Sequence, residues 1–501
     1  MTLIPNPRLR APLAALLACT AFSGAAWADA APSLKLEPCR LRSVPTEVRC
    51  GQLQRPLDPA QPQGQQIQLR VVVVPALARN KLPDPVVFLA GGPGQPVVEL
   101  AGVVLQRTRR LNNRRDLVLV DQRGTGQSAP LHCPDERHLP AAEGMDVAAT
   151  LRRLESCRVA LEKLPHGDLR FYTTAIAMQD LDAVRQALGV DRWNLMGGSY
   201  GTRAALEYQR QFPQAVRRSV IDGVAPPDMV LPASFSTDTQ AAFDLMLSSC
   251  AAEPGCAQAY PKLAEQWQAL LEGLPRSVTM RNALTGKPET LLLQREHVVR
   301  AVRGPLYSPA VASALPAAIQ AATQGDFNAL GALASGVGSG RPEQRLAMGM
   351  HFSVICAEDL PRQGQTQDAP GKHFEQIDAR LYAAACKNWP RGTVPPAFYD
   401  VPKAQSAVLV LSGGADPVTP PRHGERVAKA LGSMAKHEVV ATAGHGVMGL
   451  PCVGDVLTRF IDAKTDAEAL AVESSCAAKT PRPLAFIAPN PELPSLKASA
   501  P

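Results

Sequence analysis

Gly197-Gly198-Ser199-Tyr200-Gly201 is the stretch of this chain with the most chemistry in it. It follows Trp193-Asn194-Leu195-Met196, which reads as a short buried strand. It precedes residues 202–208, which read as the start of a helix. A Gly-x-Ser-x-Gly turn between strand and helix is a nucleophile elbow. The turn forces Ser199 into a strained backbone conformation and lifts its hydroxyl clear of the sheet. The helix N-terminus behind it favours negative charge. The pentapeptide alone is weak, because Gly and Ser are common in turns; its strand–turn–helix setting raises it.

A serine hydroxyl is a poor nucleophile until a base accepts its proton. The chain order Ser, acid, His is met downstream. Residues 407–411, Ala-Val-Leu-Val-Leu, form a continuous apolar run of the kind buried on both faces of a parallel sheet. They lead into Ser412-Gly413-Gly414-Ala415-Asp416-Pro417, which places an acid just past a strand end. Glu438-Val439-Val440 then leads to Ala443-Gly444-His445-Gly446. His445 is placed as the base, since imidazole titrates near neutrality. Asp416 is placed as the group that holds its tautomer and stabilises the imidazolium. Asp222, at the end of another apolar run, is the rival acid; chain order and the Gly-Gly-x-Asp loop favour Asp416. His132, His166, His351, His423 and His437 lack a comparable glycine setting and read as surface or structural residues.

Acyl transfer also needs donors for the oxygen that becomes negative. One expected donor is the N–H of Tyr200, directly after the nucleophile. The other is expected from the turn Ala90-Gly91-Gly92-Pro93-Gly94 that ends the apolar run 86–89, with Gly92 the choice.

Together with Asp121-Gln122-Arg123-Gly124-Thr125-Gly126-Gln127-Ser128, these motifs resemble the proline iminopeptidase and tripeptidyl aminopeptidase family of serine exopeptidases. The secreted tripeptidyl-aminopeptidase-like branch is the nearer likeness. The motifs span residues 86–445. The family's loop usually begins His-Gly-Gly-Pro-Gly; here its first position is Ala90, which leaves the backbone donors in place. The resemblance implies an α/β-hydrolase fold: a mostly parallel central sheet, with a large, mainly helical cap inserted between core strands. It also implies that Asp121 and Arg123 pin neighbouring loops, and that no cofactor is needed.

The residue pattern has the same rhythm. Runs 66–74, 86–89, 117–120, 193–196 and 218–221 read as strands, and Ile176, Leu181, Val184 and Leu188 repeat at helical spacing over 174–188. The β–α alternation stops after Gly223. This predicts a core over 29–224, a helical cap over 225–402, a second core segment over 403–479 and a proline-rich tail over 480–501. Such an insertion would roof the cleft at the strand ends.

Arg8 and Arg10 precede a small-residue apolar stretch ending in Ala26-Trp27-Ala28, a pattern of export with cleavage after Ala28. Leu16-Leu17-Ala18-Cys19 is a rival lipid-attachment motif, which would tether the chain at Cys19. Either route leaves ten cysteines, and an even number in an exported chain implies disulfides. The simplest pairing joins sequence neighbours: Cys39–Cys50, Cys133–Cys157, Cys250–Cys256, Cys356–Cys386 and Cys452–Cys476. A bacterial periplasmic or secreted location follows. Neither Cys-x-x-Cys nor His-Glu-x-x-His occurs, so no metal is expected. The formal net charge is +7, aromatics make up 5% and no nucleic-acid motif occurs. Arg107, Arg109, Arg110, Arg114 and Arg115 read as the solvated end of a helix.

An aminopeptidase must bind an α-ammonium group, and a buried cation needs a carboxylate. Glu358 and Asp359, beside Cys356, are the cap acids placed for this, with a solvated acidic turn as the other reading. The expected partner is a peptide with a free N-terminus. An esterase on the same fold is the alternative, since fold and triad do not fix substrate.

Overall fold

The continuous apolar runs become the centre of one sheet. The computed structural model describes residues 34–136, 139–336 and 345–487. Cys19, the Ala28 cleavage point and residues 488–501 lie outside the described residues. Eleven strands are present among the described residues: β1 (Glu37–Cys39), β2 (Val48–Pro56), β3 (Gln66–Val74), β4 (Val86–Leu89), β5 (Leu117–Val120), β6 (Trp193–Gly198), β7 (Val216–Asp222), β8 (Arg276–Arg281), β9 (Pro288–Leu293), β10 (Val408–Gly413) and β11 (Ala435–Val440). Nine of them form a sheet ordered β1-β2-β3-β5-β4-β6-β7-β10-β11. Strands β5 to β11 in that order run parallel, and β1 to β3 are antiparallel additions at one edge.

Period-two alternation sends neighbouring residues to opposite faces. Val71, Val87 and Leu195 join an apolar cluster on one face, with the helices Thr174–Ala187 and Tyr200–Gln211. Val72, Phe88 and Met196 join another, with the helices Ala101–Asn112 and Pro451–Asp462. Both faces are therefore covered, as parallel strands require. The parallel strands all end on one side, where Asp222 closes β7 and Gly92, Ser199, Asp416 and His445 follow β4, β6, β10 and β11.

The segment between β7 and β10 has its own apolar cluster, built around Phe243, Trp267, Val302, Ile319 and Phe327. It is mainly helical. It also holds the hairpin β8–β9, which pairs only with itself. The helical reading overlooked the alternating Val278 and Met280 that face inward there.

The basic run is not solvated throughout. Arg107, Arg109 and Arg110 lie on the helix Ala101–Asn112, but Arg115 is buried. Its Nε donates to Asp84 at 2.9 Å and its Nη1 to Asp462. Two carboxylates make that burial tolerable. In the tail, Phe486 N donates to Ser313 O at 2.9 Å and receives Tyr260 Oη on its carbonyl at 2.8 Å. These residues pack on the insertion.

All five neighbouring cysteine pairs are bonded. They span separations from 6 residues at Cys250–Cys256 to 30 at Cys356–Cys386. Non-reducing peptide mapping should recover these five links and no free thiol among the ten. On chain entropy alone, the longest loop should contribute about 1.4 kcal/mol more than the shortest. Denaturant titration of the two paired Cys→Ser variants measures that difference, and an inverted order would refute the entropic account.

Candidate active site

Ser199 sits between β6 and the helix Tyr200–Gln211 with φ 56° and ψ −125°. Few non-glycine residues adopt such a backbone. The glycines on either side explain why the chain can make this turn. A Cβ on Gly201 would lie 2.1 Å from Leu89 O, and one on Gly197 would lie 2.4 Å from Gly201 O. The N–H of Ser199 donates to Asp222 O at 2.9 Å, which ties the elbow to the end of β7. Its carbonyl accepts from Thr202 N at 2.9 Å and Thr202 Oγ1 at 2.6 Å. The residue remains partly exposed.

His445 and Asp416 are brought together by the loops after β11 and β10. His445 Nδ1 lies 2.8 Å from Asp416 Oδ2. Thr419 Oγ1 donates to the same Oδ2 at 2.8 Å and lies 3.1 Å from His445 Nδ1. The hydroxyl has one proton, so it donates to the carboxylate and accepts from the ring. Nδ1 therefore carries the hydrogen, and Nε2 is left as the proton acceptor. Asp416 Oδ1 accepts from the N–H groups of Val418 and Thr419, both at 2.9 Å. Burial pushes the Asp416 pKa up, but the His445 charge and hydrogen bond, with those two N–H groups, hold it below the usual carboxylate range. Burial pulls the His445 pKa down, but Asp416's charge and hydrogen bond outweigh it and leave the ring above the ordinary imidazole value.

Asp222 occupies a different place. Its Oδ2 accepts from Val447 N at 2.7 Å and Met448 N at 2.8 Å. It thus holds the loop just beyond His445 and makes no hydrogen bond to the ring. Burial is the largest influence and, against those two donors, pushes its pKa up to about 6. Gly223 sits between the two parts: a Cβ there would lie 3.1 Å from Thr419 Oγ1 and 3.3 Å from His445 Cε1.

Two further contacts come from the insertion. Tyr307 O accepts from His445 N at 2.8 Å, and the two rings meet edge to face at 5.0 Å. Tyr200, the first residue of its helix, has an N–H of the kind a helix leaves unpaired. Gly92, in the loop after β4, has φ 110°, which glycine alone adopts freely. Thr419, Tyr307, Arg203 and Thr174 were not singled out from sequence. Only Thr419, three residues beyond the acid, carried a local signal, as a turn-forming side chain.

Glu358 and Asp359 are fully buried behind the elbow rather than facing a cleft. Asp359 takes Arg203 with both oxygens, at 3.0 and 3.1 Å, and Leu231 N at 3.0 Å. Glu358 accepts from Thr174 N at 2.7 Å and Thr174 Oγ1 at 3.0 Å, with Arg203 Nη1 at 3.6 Å. Thr174 Oγ1 in turn lies 2.6 Å from Tyr200 Oη. Burial is the main influence on Glu358 and pushes its pKa up to about 7. This arrangement fits bracing of the elbow helix, not contact with a substrate ammonium. Glu207 pairs with Arg210. Asp121 accepts from Val98 N and Gln127 N, and Arg123 forks onto Asp180 at 2.7 and 3.0 Å. Those two residues therefore do pin loops. Among the described residues, no cluster of His, Cys, Asp and Glu could hold a metal ion.

Two family models match the chain. One, of the alpha/beta hydrolase fold, covers residues 84–249 and with them Gly92 and Ser199. The other, of TAP-like proteins, covers residues 374–471 and with them Asp416 and His445. Serine protease Hip1 of Mycobacterium tuberculosis is 31% identical over 240 residues, 44% of this chain and 45% of that protein. Tripeptidyl aminopeptidase of Streptomyces lividans is 32% identical over 224 residues, 41% of this chain and 39% of that protein. Proline iminopeptidase of Xylella fastidiosa is 29% identical over 142 residues, 28% of this chain and 32% of that protein. The matched stretch spans less than half the length of each of these relatives.

If Ser199 reacts through neutral His445, activity falls as pH drops through the His445 pKa. That pKa is raised, so the acid limb of kcat/KM should centre above about 6.5. Asp416→Asn removes the charge that raises it. The limb should then move to lower pH while kcat falls by about 10⁴, the size seen for such an acid elsewhere. Asp222→Asn keeps an oxygen for Val447 and Met448 and should cost far less. The reverse ranking would give the orienting role to Asp222.

Proposed function

We propose that this chain, an α/β-hydrolase with a TAP-like C-terminal segment, is an exported serine exopeptidase. It releases short peptides or single residues from free N-termini through an acyl-enzyme. The observation that carries this reading is the 2.8 Å bond from His445 Nδ1 to Asp416, in loops packed against the strand end that anchors strained Ser199. The names of the similar proteins favour peptide substrates over esters. The five disulfides favour an oxidising compartment. No helix among the described residues is long and apolar enough to cross a membrane.

In this mechanism Ser199 Oγ attacks the scissile carbonyl while His445 Nε2 takes its proton. The carbonyl oxygen becomes negative, and the N–H groups of Tyr200 and Gly92 receive it. Each such donor contributes about 3–4 kcal/mol to the transition state where it has been measured. The imidazolium, held by Asp416 and Thr419, gives its proton to the leaving amine. Water then repeats the sequence and frees the acid product. The insertion over 225–402 acts as the cap that limits access to chain ends.

Ser199→Ala should fold normally and lose nearly all turnover, and a serine-directed phosphonate should label the wild type at Ser199 alone. A panel of aminoacyl and tripeptidyl anilides, free and N-acetylated, against short acyl esters tests specificity. Free-amine anilides should lead; a preference for esters would favour the esterase reading.

Glu358→Gln and Asp359→Asn test amine binding on the same panel. Gln resembles the protonated carboxyl that burial favours, so most activity should remain. Asp359→Asn leaves Arg203 poorly matched and should lower stability by about 3–5 kcal/mol, the usual cost of breaking a buried pair. Both variants should affect free and acetylated substrates alike. A loss confined to free-amine substrates would instead make these acids the ammonium site.

A further inference from the structure

The loop that carries Gly92 has little with which to fix its own shape. It is Gly91-Gly92-Pro93-Gly94: three residues without a side chain and one without an N–H. Gly92 and Gly94 both have positive φ, 110° and 103°. Glycine loses more freedom on ordering than any other residue. Within the loop, Gln95 N donates to Gly91 O at 3.3 Å; the carbonyls of Pro93 and Gly94 are held from outside.

The holding groups come from the insertion. Ala347 N donates to Gly94 O at 2.8 Å. His351 Nδ1 lies 3.0 Å from Pro93 O. Leu346 closes the remaining side, its Cδ2 3.0 Å from where a Gly92 Cβ would be. His351 is buried, and its Nε2 lies 2.9 Å from Tyr382 Oη. A carbonyl only accepts, so Nδ1 carries the hydrogen. In the neutral ring Nε2 then accepts from the Tyr382 hydroxyl. Burial, the largest influence, lowers the His351 pKa and keeps the ring neutral.

We propose that His351 is a positioning residue that aims the Gly92 N–H at the reacting carbonyl oxygen by holding the Pro93 carbonyl. The inference rests on the serine-hydrolase reading of Ser199. Its reach extends along the helix Met348–Glu358. At one end, His351 and Ala347 hold the Gly92 loop. At the other, Glu358 holds Thr174, which holds Tyr200. Eleven residues of helix are a strut of about 16 Å. Both expected oxyanion donors are thereby referenced to one rigid element of the insertion.

The amide nitrogen of Asn can take the place of Nδ1, whereas that of Gln reaches the place of Nε2. His351→Asn should therefore keep the bond to Pro93 O and retain activity within a few-fold. His351→Gln keeps only the Tyr382 contact, and its kcat should fall about 10–100-fold with KM little changed, as misplacement of a catalytic group does. Binding of a peptidyl trifluoromethyl ketone, whose adduct carries the oxyanion, should weaken in parallel. Binding of the peptide product should not. Tyr382→Phe, a milder change, should lower kcat by a few-fold and serves if His351→Gln does not fold. Equal effects of Asn and Gln, or parallel weakening of ketone and product, would overturn the proposal. In that event, a wild type that still labels at Ser199 leaves the hydrolase reading standing. A wild type that neither labels nor turns over any substrate removes both.

Discussion

The structure depends on one strained residue. Ser199 can hold φ 56° and ψ −125° only because its surroundings over-determine it. Such a conformation costs of order 1–3 kcal/mol. The restraints are local and numerous. The N–H is bonded to the end of β7, the carbonyl to both donors of Thr202, and Thr202 Oγ1 itself receives Ala225 N at 2.9 Å. The close approach of Gly201 to Leu89 O fixes β4 against the elbow helix. Since β4 ends in the Gly92 loop, the same contact sets how far that loop lies from Ser199. The parallel order β4-β6-β7-β10-β11 then delivers the remaining groups from successive strand ends.

Two carboxylates lie near one imidazole, and their environments separate their roles. Asp416 receives four donors, including the ring, and stays ionised. Asp222 receives two backbone N–H groups, is fully buried, and has its pKa pushed up to about 6. An ionised Asp416 favours the protonated form of the His445 ring by its charge and hydrogen bond. Asp222 acts on the backbone beyond the ring and fixes the path of the loop. Pairs of titratable groups driven apart in this way mark division of labour in an acid–base site.

Much of this was legible in the sequence because the signals were local. The apolar runs of β4 and β5 became strands over the same residues, since two-sided burial leaves little freedom in where they end. The five disulfides were legible because each joins its nearest neighbour in the chain. The elbow, the acid and the histidine each stand at a strand end among glycines. The illegible parts depend on partners far away. Arg203 and Asp359 are 156 positions apart, and His351 and Pro93 are 258. Nothing near His351 distinguishes it from a surface histidine. Arg115 read as solvated because its partners Asp84 and Asp462 are remote. Strands β1 and β2 were missed because they are short or polar, and their place comes from pairing with β3 and from the Cys39–Cys50 bond.

The charge count behind the elbow sets what Glu358 and Asp359 pair with. Adjacent acids on a presumed cap suggest a cation to be bound, and a cation is present, but it is Arg203. One guanidinium cannot neutralise two carboxylates in a dry site. Asp359 holds it with two short bonds, while Glu358 stands off at 3.6 Å. Glu358 is therefore the acid that burial drives toward the protonated form. Its remaining contacts are to Thr174, whose hydroxyl reaches Tyr200. A buried ion pair contributes little net stability over well-packed apolar residues. Its value here is positional: Arg203 and Tyr200 both lie on the elbow helix, and both are fixed to the end of a helix from the insertion. The insertion thus braces the helix that follows Ser199.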